Sequence, residues 1–183
     1  MAQQTAVVGN GGNGNGRTLV VYFSRSGTTR KVAEELARAL GADLERINDH
    51  EDRSGFGGYM RSGRQALKDV LVQIDEPGRD PADYDLVIVG TPVWAYKMCS
   101  PVRTYLTNYA SRIKDAAFFC TADRREEKTL EDMAGLAGKP AKASMVVYRK
   151  AVLRNEHLGK VQEFISKLNG NASDKRTEEG ALA

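Results

Sequence analysis

The chain has 183 residues, 41% of them apolar and 28% charged, with a net charge of +3 and two cysteines. That balance describes one folded domain with its own core, and two cysteines exclude a disulfide-framework protein. The longest apolar runs are strand-sized, so no membrane span is expected, and the basic residues are neither clustered nor interleaved with aromatics as nucleic-acid binding would require.

Residues 1–16 contain eight Gly and Asn and no charge, and read as a flexible tail. They lack the basic-then-apolar order of a secretory leader, so the cytoplasm is the default compartment. The spacing of Gly9, Gly11 and Gly14 imitates a dinucleotide fingerprint. No strand precedes it and no helix follows, so it is read as chance. A domain is expected over 17–170, followed by a second polar tail over 171–183.

The domain opens with an apolar strand at 18–23, which stops at Ser24-Arg25-Ser26-Gly27-Thr28-Thr29. A helix follows over 28–40, with Val32, Leu36 and Leu40 four apart. A strand that turns through Ser, Gly and Thr into a helix is suited to hold a phosphate. The free N–H groups of the first turn and the helix dipole favour an anion, and the hydroxyls add donors without charge. Capping alone needs fewer hydroxyls. No Gly-Lys-Ser/Thr follows, which excludes a Walker loop.

Further strands are expected at 43–47, 85–90, 116–121 and 143–148, and further helices at 59–70, 101–113, 127–136 and 157–169. Three of the strands are near-continuous apolar runs, as in a parallel sheet covered on both faces. The strand–helix alternation implies right-handed crossovers and a three-layer α/β/α sandwich.

Residues 24–29 match the phosphate loop Ser/Thr-x-Ser/Thr-Gly-x-Thr of the flavodoxin family at every position. A second motif, Gly90-Thr91-Pro92-Val93-Trp94 followed by Pro101-Val102-Arg103, resembles flavodoxin-like proteins outside the small shuttle group. The resemblance covers about residues 17–169. It implies an α/β fold with a five-stranded parallel sheet in the order 2-1-3-4-5 and FMN as cofactor. Ser24, Arg25, Ser26, Gly27, Thr28 and Thr29 would hold the phosphate. Pro92, Val93, Trp94, Ala95 and Tyr96 would meet the isoalloxazine, with Trp94, the single tryptophan, against the ring. Thr121, Ala122 and Asp123 would form the third cofactor loop.

The chain departs from the shuttle pattern at three places. It is basic where shuttles are acidic. It has no aromatic in the third loop, which leaves one ring face open unless Tyr59 or Phe56 covers it from the glycine-rich segment 54–63, read as a lid or an ordinary loop. It places Ala95 where shuttles have Gly, and Ala resists positive φ. The resemblance therefore implies an FMN oxidoreductase, with transfer from NAD(P)H to a quinone-like acceptor as the leading form. A one-electron carrier docking on a redox protein is the alternative, and a flavin-less interaction module the third. Oligomeric state is not legible.

The remaining chemistry-bearing residues have simpler readings. Cys99 lies just before a helix start, where a reactive thiol can sit, but a small apolar filler is more common. Cys120 falls inside a strand. His50 and His157 have no neighbour at metal-ligand spacing, read as surface or capping residues, and no metal is expected.

Overall fold

The computed structural model of the protein describes residues 16–124 and 126–180. The N-terminal tail up to residue 15, with its glycine fingerprint, and residues 181–183 lie outside that range.

Five parallel strands build the sheet: β1 (Thr18–Tyr22), β2 (Asp43–Arg46), β3 (Leu86–Trp94), β5 (Asp115–Ala122) and β6 (Ala141–Tyr148). Their order is β2-β1-β3-β5-β6, and a two-residue strand β4 (Lys97–Met98) pairs antiparallel with the end of β3. Numbered without that short arm, this is the expected 2-1-3-4-5. The register aligns Val21 with Val89 and Val89 with Phe118, so the apolar runs of the three central strands stack side by side.

Alternation along each strand sends side chains to two cores. Leu19, Val21 and Phe23 join Val102, Leu106 and Met133 beneath α3 (Ser100–Tyr109) and α4 (Glu127–Ala137). Val20 and Tyr22 join Val32, Leu36, Phe164 and Leu168 beneath α1 (Thr28–Leu40) and α6 (Leu158–Gly180). Each fully buried Leu, Val or Phe contributes about 1.5–3 kcal/mol. Gly90 is demanded by this packing, because a Cβ there would stand 2.1 Å from the Phe119 ring.

The structure corrects several expectations. The third strand does not stop at Gly90 but runs to Trp94, drawing Pro92 and Val93 into the sheet, with Pro92 opposite Thr121. The reason is the hairpin to β4, whose turn carries none of the usual Gly or Asn signals. The segment 54–63 is neither lid nor loop. It is the first part of helix α2 (Gly55–Leu67), which starts four residues before the expected 59. Glycine disfavours a helix, but close packing prevails here: a Cβ on Gly58 would lie 2.3 Å from the Arg53 backbone. A further short helix, α5 (Arg149–Leu153), follows β6. The last helix continues to Gly180 through the segment expected to be loose, which contains no proline to stop it.

Among the described residues, no helix is long and apolar enough to cross a membrane. None of their His, Cys, Asp and Glu side chains form a group of three placed to hold a metal ion.

Candidate functional site

The carboxyl ends of β1, β3 and β5 surround a cleft of about 210 Å³. Its wall comes from three separate loops and two helices. Arg25, Ser26, Thr28 and Thr29 come from the turn after β1, and Pro92, Val93 and Trp94 from the end of β3. Thr121, Ala122 and Asp123 follow from β5, Tyr59 from α2, and Arg149 from the start of α5.

The first loop is organised by its own hydroxyls. Gly27, at φ 90°, is the residue before α1 and has no side chain with which to cap it. Its N–H donates to Ser24 Oγ at 3.1 Å, which fixes the turn. The first helical bond runs from Lys31 N–H to Gly27 O at 3.0 Å. The N–H groups of Thr28, Thr29 and Arg30 therefore precede the intrahelical ladder. No acidic residue occupies this first turn. The cleft thus receives a positive helix end, flanked by the Ser26 and Thr28 hydroxyls 3.5 Å apart. Thr29 Oγ1 lies 2.8 Å from Thr121 Oγ1, tying the first loop to the third.

The second loop is a tight hairpin. Trp94 pairs with Lys97 across Ala95 and Tyr96, whose φ angles are 47° and 64°. Positive φ at both central residues is the turn that matches strand twist. Ala95 therefore already occupies the backbone region it was expected to resist. Lys97 Nζ reaches Asp69 at 2.8 Å and Arg103 reaches the same carboxylate at 2.6 Å, which ties the hairpin to the turn after α2 and to α3. The Lys97 cation is thus met by the Asp69 carboxylate.

Trp94 is half-buried. It meets Phe23 edge-on, with ring centroids 5.5 Å apart and planes at 87°. The Arg53 guanidinium lies 4.8 Å from the Trp94 ring centre. Arg53 is itself buried, bonded to Asp49 Oδ2 at 2.5 Å, Ser62 Oγ at 3.0 Å and Gln65 Oε1 at 2.9 Å. Tyr59, which also lines the cleft, carries the Arg25 guanidinium 5.4 Å from its ring centre.

Ten of the fourteen expected site residues line the cleft. Ser24 and Gly27 stand behind it as the frame of the first loop, and Ala95 and Tyr96 form the hairpin turn at its edge. Sequence reading did not find Arg149 or Arg53. Arg149 begins a helix too short to show periodicity. Arg53 sits in a polar stretch, and only the fold brings it under Trp94.

Cys99 is fully buried and accepts no role in the cleft. Burial pushes its thiol up to about 12, against a bond with Thr91 that pulls it down. Cys120, also buried, is pushed up to about 12 by burial. His157 is not a surface residue. It is buried, with Nε2 2.5 Å from Glu35 Oε2. His50 pairs with Asp75 at 2.7 Å on the surface.

A parallel sheet in this order, with a hydroxyl-lined helix start at the switch point beside β1 and β3, defines a doubly wound α/β protein with a cleft at its switch point. The sequence profile described as flavodoxin matches residues 17–160, and the chain belongs to the flavodoxin family. Among solved structures it is similar to a flavoprotein of Lactobacillus acidophilus NCFM in complex with FMN. Identity is 22%, coverage 77% of this chain and 98% of that one, and the TM-score 0.59. It is similar to the apo-form of the flavoprotein from the same organism at 24% identity, 73% and 93% coverage and a TM-score of 0.55. A Bacteroides eggerthii DSM 20697 protein assigned as a flavoprotein is 20% identical, with 76% and 95% coverage and a TM-score of 0.58. No curated protein sequence matches the chain.

Proposed function

We propose that this chain binds FMN in the cleft between the first, second and third loops and uses it as an oxidoreductase, taking reducing equivalents from NAD(P)H to a quinone-like acceptor. The observation that carries the reading is the uncapped start of α1. Its N–H groups, the Ser26 and Thr28 hydroxyls and two cations, Arg25 and Arg149, all meet in one cleft that ends at an aromatic wall. Those donors fit a phosphate monoester, the end group of FMN.

The residues present also fit the rest of the cofactor. Trp94 offers a flat face for its ring system, and Arg53 holds Trp94 in place. Thr121 and Ala122 let backbone approach the ring closely. The bound flavin supplies the electron and hydride chemistry; the protein binds it, orients it and sets its electrostatic surroundings. Cys99 and Cys120 are free and buried, and the cytoplasm is the compartment this reading proposes.

One observation favours the second reading, a one-electron carrier that docks on a redox protein. Ala95 stands at φ 47° without the help of glycine, so the hairpin raises no barrier of its own to the backbone conformation used beside the flavin. The two readings separate in one experiment. The FMN-loaded protein is mixed anaerobically with NADH or NADPH and its visible spectrum followed. Rapid bleaching in a single two-electron step supports the reductase. Indifference to both nicotinamides, with stepwise reduction by dithionite, supports the carrier. A chain that binds no FMN at all removes both and leaves an interaction module.

A further inference from the structure

Two parts of the cleft come from opposite ends of the chain. Helix α1 begins at the cleft with Thr28 and Thr29, and Arg149, the first residue of α5, lines the same cleft. The Arg149 side chain has no carboxylate partner among the described residues. Helix α5 has only five residues, too few to be stable without outside support. The place of Arg149 is therefore set by whatever holds the corner between α5 and α6.

That corner is fastened to α1. Val152, 1% exposed, packs into the same core as Val32 and Leu36. Lys31 bonds the side-chain oxygen of Asn155 and reaches Val152 O at 3.5 Å. One turn further along α1, Glu35 Oε2 lies 2.5 Å from His157 Nε2. Lys31 and Glu35 are four residues apart and so share one face of the helix. Asn155, at φ 60°, makes the bend between α5 and α6. His157 closes it, because its carbonyl accepts from the Lys160 and Val161 N–H groups at 3.1 and 3.2 Å.

The His157 side chain is costly to keep where it is. The residue is 1% exposed, and its Nδ1 is buried with no hydrogen-bond partner. A buried polar atom left unmet costs free energy that an apolar side chain in the same core would not. Packing alone therefore does not call for a histidine here, and the bond from Nε2 does. A carboxylate only accepts, so Nε2 carries the hydrogen and His157 donates to Glu35. The other histidine pair differs: His50 and Asp75 are both about half exposed, where water can replace either partner.

We propose that His157 is a positioning residue of the cofactor cleft: through its bond to Glu35 it fastens the α5–α6 corner to α1 and holds Arg149 in the cleft where α1 begins. The same helix that offers its first N–H groups to a phosphate thus also sets the cation that meets that phosphate. This role rests on the reading of the cleft as an FMN site.

Equilibrium binding of FMN and of riboflavin to the full-length protein, followed by flavin fluorescence, tests it. Arg149→Ala should weaken FMN by about ten- to a hundredfold, the loss of a charge-assisted bond to phosphate, and leave riboflavin unchanged. His157→Leu should weaken FMN several-fold, up to about tenfold, again with riboflavin unchanged. In the Arg149→Ala background His157→Leu should cost nothing further, since the group it positions is gone. His157→Gln keeps an N–H donor for Glu35 and should recover most of the loss. Lys31→Met cuts the neighbouring tie and should repeat the pattern of His157→Leu, which keeps the test open if His157→Leu does not fold. Equal losses for FMN and riboflavin would make His157 a residue of general stability and overturn the proposal. A His157→Leu loss that persists in full beside Arg149→Ala would overturn it too, as would an Arg149→Ala chain that binds FMN as tightly as the parent. A parent chain that binds no FMN removes the cleft reading itself. A parent that binds FMN through Arg149, with His157→Leu and Lys31→Met as tight as the parent, removes only the positioning role.

Discussion

Arg53 lies under Trp94: its guanidinium is 4.8 Å from the indole centre and 5.9 Å from the ring of Phe23. A single buried cation thus serves as the floor of the aromatic wall while its other donors hold Asp49, Ser62 and Gln65. The start of α2 and the position of Trp94 are set by the same side chain.

Arg53→Met should therefore have two effects that a surface arginine would not show. Asp49 would be left as a buried, unpaired carboxylate, a loss of about 3–5 kcal/mol. Chemical denaturation would measure it. Trp94, the only tryptophan, would also gain freedom, and its fluorescence anisotropy in the native protein should fall. An unchanged anisotropy would mean that Phe23 alone orients the indole.

Trp94 should report the cofactor. If FMN lies against the cleft's aromatic wall, titration with FMN quenches the single-tryptophan emission steeply and saturably. Emission that stays constant to saturation would place the flavin elsewhere and leave Trp94 a structural residue of the β3–β4 hairpin.

The phosphate end can be separated from the ring end. Thr28→Leu removes a hydroxyl from the cleft and crowds the N–H groups at the start of α1. A lost hydrogen bond to a charged group costs about 1.5–3 kcal/mol, a factor of roughly ten to a hundred or more. FMN affinity should drop by that factor, and riboflavin affinity should hardly change. Equal losses for both ligands would contradict a phosphate site in this loop.

The hairpin that carries Trp94 should loosen in acid. The Asp69 carboxyl is held below its ordinary value first by the hydrogen bond from Lys97; burial opposes that shift, and the nearby Arg103 and Lys97 charges add to it. A folded-state value below the unfolded one gives stability that is fully present above about pH 4, the ordinary carboxylate value. That stability is lost as the pH falls through the lower folded value. Asp69 is half exposed, so solvent screening limits the contribution to about 1 kcal/mol or less. Asp69→Asn should melt below the parent at neutral pH, and the gap should close at pH values beneath the carboxylate range. A gap that persists there would assign the loss to the strained backbone at residue 69, whose φ is 54°, rather than to its charge.

The sequence by itself determined the layer order and the hydroxyl-rich first loop of the cleft. Both are local properties. Apolar runs separated by four-residue periodicity force a covered parallel sheet, and six consecutive residues, Ser24 to Thr29, carry the donors that the start of α1 presents. Thr28 and Thr29 belong to one turn, so their spacing in the chain is their spacing in space.

What only the tertiary structure decided is everything that depends on residues far apart in the chain. Arg53 and Trp94 are forty-one positions apart, and no local pattern pairs them. Thr29 meets Thr121 because β1 and β5 both flank β3. Ala95 and Tyr96 adopt positive φ against their own preference because Lys97 and Arg103 are fastened to Asp69. Helix α2 begins among glycines because Gly58 must pass close to the Arg53 backbone, and that packing turns its large apolar side chains outward. Propensity and periodicity act over a few residues, whereas these outcomes follow from close packing between elements, which prevails where the two disagree.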